Sequence, residues 1–112
     1  MILHIISRDD WANARSGVGV SADGFVHCSD FGTAHLPANA VFAGRTDLLL
    51  LVIDPARVGA PVKWEAGVPE HPAGVWFPHV YGTIPVDAVV AVHDFPPGAD
   101  GVFRLPEAVA NL

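Results

Sequence analysis

Residues 47–54 read D-L-L-L-L-V-I-D, six apolar side chains in a row between two aspartates. Side chains alternate across a strand, so a strand with no polar position has both faces buried. The run is too short for a helix of its own and is bounded by Gly44 and Pro55, which makes it a fully buried strand. It is also far too short to cross a bilayer, which takes about 20 residues. One such strand in 112 residues points to one domain spanning 1–112, since a single core holds roughly 100–150 residues.

The other elements are short. Residues 2–6 form a strand, and Ser7 is placed to cap a helix with Asp9 and Asp10 in its first turn, Trp11, Ala12 and Ala14 as its apolar contacts and Gly17 at its end. Asp23–Gly24 turns the chain into a strand at 25–29. Ser29 or Asp30 caps a helical stretch reaching about Ala43, with a break or fresh start expected at Pro37. Strands follow at 61–65 and 76–82, with a Gly/Pro loop at 66–74 between them; residues 86–95 read as a tight turn followed by a strand, and one helical turn follows Pro106. Strands dominate and helices cluster early, so the fold class is α+β rather than alternating βαβ.

Six Lys and Arg against twelve Asp and Glu give a formal net charge of −6, and the six cations are dispersed. Extended nucleic-acid binding needs clustered cations and is not expected. The lone cysteine, Cys28, fits a reducing, cytoplasmic setting without disulfides. The start lacks a basic segment followed by a long apolar core, so no signal peptide is expected. Neither C-x-x-C nor H-E-x-x-H occurs, and no metal site is expected. Nothing in the pattern sets an oligomeric state.

Against this background two strands spend inward positions on polar groups. Phe25, His27 and Ser29 share one face of the first; Phe77, His79 and Tyr81 share one face of the second. If the two strands are neighbours, two imidazoles and two hydroxyls meet on one patch. Such a patch suits a small polar ligand with a ring to stack, and histidine can exchange protons near neutral pH. His27 and His79 are the candidate acid–base groups, with Glu65 as a candidate acid or base near the 66–74 loop. Ser29, Tyr81, Trp64, Phe77 and His4 are the candidate ligand contacts; His4 equally suits a core role beside Ile2 and Ile6. His35, His71 and His93 fit no such pattern and read as surface or loop residues. Cys28 points away from His27 by parity and is no nucleophile for that base.

In order, G24-F-V-H-C-S29, D47-L-L-L-L-V-I-D54, K63-W-E65 and F77-P-H-V-Y-G82 resemble the domain of unknown function 952 family of bacteria. Cys28 stands where that family has leucine, Pro37 interrupts its helix, and the 66–74 loop differs from its loop. The family in turn is similar to the ADP-ribosyltransferase fold, specifically the RNA 2′-phosphotransferases, which carry a like H-x-S strand. The resemblance implies a compact split β-sheet with a few short helices and a cleft for an NAD- or ADP-ribose-like ligand, with no permanently bound cofactor. His27 and Ser29 would then touch the nucleotide or its phosphate, with His79 and Tyr81 on the opposite wall. The expected function is binding of a nucleotide-like or phosphorylated small molecule, with transferase action on an NAD-derived substrate. The ADP-ribosyltransferase glutamate has no matching motif here, which leaves open a non-catalytic ligand-sensing or partner-binding module. A third reading is a histidine acid–base enzyme acting on a small metabolite.

Overall fold

The computed structural model describes residues 1–111. Its strands are β1 (Ile2–Ser7), β2 (Val26–His27), β3 (Leu48–Ile53), β4 (Val62–Ala66), β5 (Trp76–Val80) and β6 (Val89–Asp94). Three short α-helices, α1 (Arg8–Asn13), α2 (His35–Val41) and α3 (Glu107–Ala110), complete an α+β fold. The strands form two antiparallel sheets, ordered β1-β3-β6 and β2-β5-β4.

The all-apolar run is β3, central in the first sheet and buried at every position. Leu49, Leu51 and Ile53 pack on one side with Ile2, Trp11, Val26, Cys28 and Val80. Leu48, Leu50 and Val52 pack on the other with Leu3, Phe95, Phe103 and Val109. The chain after β6 therefore exists to cover the second face of β3.

Ser7 caps α1 by accepting from the Asp10 amide at 3.1 Å. Trp11 and Ala14 turn inward as the pattern predicts, but Ala12 is exposed, and the helix ends in a wide turn where Gly17 takes φ 128°. The break or fresh start expected at Pro37 comes two residues earlier, where the helix begins anew. Asp30 instead organises a turn, its carboxylate accepting from the Gly32 amide and the Thr33 hydroxyl, and α2 starts only at His35. Pro37 thus falls in the first turn, where a missing N–H costs no helical bond.

Residues 26–29 join the two sheets. Val26 and His27 pair with Val80 and His79 of β5, and the Cys28 amide donates to the Pro78 carbonyl at 3.0 Å. One residue later Ser29 leaves β5 and exchanges two backbone bonds with Leu3 of β1, at 2.8 and 2.7 Å. A four-residue strut of this kind explains why β2 is shorter than the 25–29 strand read from the sequence.

Candidate functional site

The register across the second sheet sets the site. His27 lies directly opposite His79, and Lys63 lies opposite His79 on the other side. Directly opposed residues share a face, so Lys63, Glu65, Phe77, His79, Tyr81 and His27 all project from one side of the sheet. The reverse side carries Val26, Cys28 and Val80 into the core. Cys28 is buried there and its thiol is pushed up to about 12 by burial.

His79 is 1 % exposed, and its Nδ1 lies 2.9 Å from Glu65 Oε1. The Tyr81 hydroxyl donates to the same oxygen at 2.5 Å. These two bonds, Tyr81 first and His79 second, hold the Glu65 carboxyl below the ordinary carboxylate range. The same bond to Glu65 raises the Tyr81 pKa. An ionised carboxylate only accepts, so His79 donates from Nδ1. Its Nε2 is then the atom with a lone pair, and it has no partner among the described residues. Phe25 stacks on the His79 ring at 4.1 Å between centroids, and the His27 ring stands edge-on at 5.3 Å.

In front of this cluster a cleft of about 520 Å³ opens between the sheet, α2 and the 66–74 loop. His4, His27, Ser29, Phe77 and His79 line it, with Leu36, Val41 and Phe42 from the helical side and Glu70 and His71 from the loop. Most of its surface is apolar. The Ser29 hydroxyl has no hydrogen-bond partner among the described residues, since its backbone alone carries the bonds to Leu3. His4 donates from Nδ1 to the His27 carbonyl oxygen at 2.6 Å, fixing β1 against β2. His4 is therefore both structural and cleft-lining.

Five of the eight expected site residues line the cleft, and three stand elsewhere. Glu65 and Tyr81 are bonded to each other beside His79 and do not line the cleft, and the Glu65 side chain remains partly exposed to solvent. Trp64 lies opposite Pro78 and projects from the reverse side of the sheet, 49 % exposed, so it cannot stack on a ligand in the cleft. Two histidines read as surface residues are also placed differently. His71 enters the cleft wall, its Nδ1 accepting from the Ala73 amide at 3.0 Å. His93 sits half-buried on β6 with its Nε2 enclosed and unpartnered among the described residues. No local sequence rule set His71 apart, because its place in the wall follows from the path of the 66–74 loop. No three His, Cys, Asp or Glu side chains among the described residues stand where they could hold a metal ion. No helix among them is long and apolar enough to cross a membrane.

Burial lowers the His4 pKa, with the bond to the His27 carbonyl opposing it, and burial followed by the nearby His79 lowers that of His27. In the unfolded chain both titrate near 6.5. As pH falls through that value the unfolded chain takes up protons that the folded one resists, so stability drops. Thermal melts between pH 7.5 and 5.5 are expected to show a falling midpoint, with a shallower fall in His4→Gln. An unchanged slope in that variant would refute the assignment to His4.

The architecture and site define a two-sheet α+β protein with a histidine-lined cleft and a carboxylate behind one imidazole. Residues 5–92 match the family model described as "Protein of unknown function (DUF952)", and the chain belongs to that family. Its structure is similar to the crystal structure of protein CC0527 from Caulobacter crescentus, at 34 % identity and a TM-score of 0.81 over 97 % of each chain. The solution NMR structure of CC0527 is similar at 33 % identity and a TM-score of 0.77, over 99 % of this chain and 97 % of that one. No curated protein matches the chain.

Proposed function

We propose that the cleft binds a small, largely uncharged metabolite with a ring or aliphatic body, and that His79, oriented by Glu65, exchanges a proton with it. The observation that supports this reading is the His79 Nδ1–Glu65 bond, at 2.9 Å, on a ring that is otherwise enclosed. A carboxylate behind Nδ1 selects the tautomer that keeps Nε2 free as a base, and proton transfer by a positioned side chain supplies about 10²- to 10⁴-fold in rate. The Ser29 hydroxyl and the His27 ring are placed to hydrogen-bond the polar end of the ligand, and Phe77 and Phe42 to pack against its body. No arginine or lysine lines the cleft among the described residues, and burial makes His4 and His27 less basic, so an anionic polyphosphate is the weaker fit.

The second reading is an NAD-derived or phosphorylated ligand and a transferase reaction. It is favoured by the placement of the His27-x-Ser29 strand in the cleft wall and by the two sheets joined through it, which is compatible with an ADP-ribosyltransferase-like split sheet.

A thermal-shift screen separates the two readings. One arm holds neutral aromatic and aliphatic metabolites; the other holds NAD, ADP-ribose, nucleotides and phosphorylated metabolites. A ligand at 100 times its dissociation constant adds about 2.7 kcal/mol. Neutral compounds are expected to stabilise the protein, with His27→Ala weakening binding about tenfold and His35→Ala leaving it unchanged. Stabilisation by the phosphate arm alone would establish the second reading, and none in either arm at millimolar concentration would sink both. Binding without turnover would identify a ligand-sensing module.

A further inference from the structure

Strand β4 is an edge of the second sheet, and its sequence V-K-W-E-A is self-complementary about its middle residue. We infer that β4 pairs antiparallel with β4 of a second copy, about a two-fold axis through Trp64, to form a homodimer.

The phase of the existing ladder permits this. The Tyr81 amide donates to the Pro61 carbonyl at 2.9 Å, so residues 61, 63 and 65 turn their backbone groups toward β5. Val62, Trp64 and Ala66 therefore turn theirs outward along a free edge, the arrangement that templates addition of another strand. Centred on Trp64, antiparallel pairing sets Trp64 against its own copy in a hydrogen-bonded pair. It sets Val62 against Ala66 and Lys63 against Glu65 in both directions, and opposed charges directly across a strand pair attract.

Side-chain placement agrees with the backbone. Trp64 and Trp76 project from the same side of the sheet on adjacent strands and are 49 % and 60 % exposed. Two large exposed indoles, diagonal neighbours on one face, form the kind of apolar patch that marks an association surface. The two-fold operation runs perpendicular to the sheet, so it extends this patch across the new strand pair and sets the two Trp64 side chains directly opposite each other, an isologous contact. On the other side of the sheet Lys63 makes no ion pair among the described residues and rests over the Tyr81 ring at 4.8 Å. Glu65 uses Oε1 for His79 and Tyr81, leaving Oε2 for the incoming lysine. The partner's lysine then reaches the carboxylate that orients His79, so the dimer adds a charge behind each cleft.

β6 is the competing edge, with Val90 and Val92 also exposed. Its sequence V-V-A-V-H-D carries no cation to oppose Asp94, so self-pairing there gains no charge pair.

Sedimentation velocity over about 5 µM to 1 mM, combined with amide exchange at both ends of that range, tests the inference. A concentration-dependent dimer is expected, with the Val62, Trp64 and Ala66 amides gaining protection while those of β6 do not change. Lys63→Glu puts like charges opposite each other twice and should raise the dimer dissociation constant about tenfold or more. Trp64→Lys should abolish the dimer while preserving the amide spectrum of the folded monomer. A protein that stays monomeric at 1 mM overturns the proposal. So does a dimer that protects β6, or one indifferent to Lys63→Glu and Trp64→Lys.

Discussion

Glu65→Gln is expected to lower turnover by about 10²- to 10⁴-fold on any substrate that the ligand screen identifies, or about 3–5 kcal/mol of barrier. The side chain keeps its shape and stays able to bond both neighbours, so binding should change far less than turnover. What changes is the instruction given to His79. A carboxylate can only accept, which forces the proton onto Nδ1. An amide can also donate, so it tolerates the tautomer with the proton on Nε2, where the base is lost. Nitrogen-15 spectra of the imidazoles should show His79 protonated at Nδ1 in the parent and a mixture in the variant. A merely structural Glu65 would leave the tautomer unmoved and alter melting instead. Full activity in the variant would remove His79 from the chemistry.

The second large effect lies in the core rather than in the cleft lining. Phe95→Ala is expected to cost about 3–5 kcal/mol, the range for a buried phenylalanine whose cavity cannot collapse. Phe95 is completely buried, its ring 5.3 Å from that of Phe103, and its amide donates to the Leu48 carbonyl at 3.0 Å. Phe103, Leu105 and Val109 depend on it to cover the outer face of β3. A loss of that size is a large part of the roughly 5–15 kcal/mol that holds a domain together. Urea unfolding with an unchanged m-value and a reduced midpoint would confirm it. A loss under about 1 kcal/mol would mean that the tail contributes little to the core.

The parts legible in the sequence were those set by local rules. An apolar run without a polar gap could only be a doubly buried strand, and β3 is that strand. Alternation placed His27 and His79 on matching faces, and the register sets them directly opposite one another. Alternation also puts Trp64 and Glu65 on opposite faces of one strand, so both could never border the same cleft. What stayed hidden depended on register and loop path. The reach of Glu65 to His79 and Tyr81 follows from β4 pairing with β5 such that Glu65 opposes Phe77, and no composition rule supplies that offset. His71 enters the wall because the 66–74 loop folds back over the sheet. Pro37 looked like a break until a side-chain turn at Asp30 delayed the helix start.

The strut at residues 26–29 ties assembly of the cleft to completion of the fold. Its backbone holds β5 on one side and Leu3 on the other, while its side chains supply His27 and Ser29. His4 reaches it from the first sheet and His79 from the second. A chain that has built either sheet alone has only one wall and no cleft. Partly folded molecules therefore lack the cleft, and local opening between the sheets takes it apart before it exposes the deepest core.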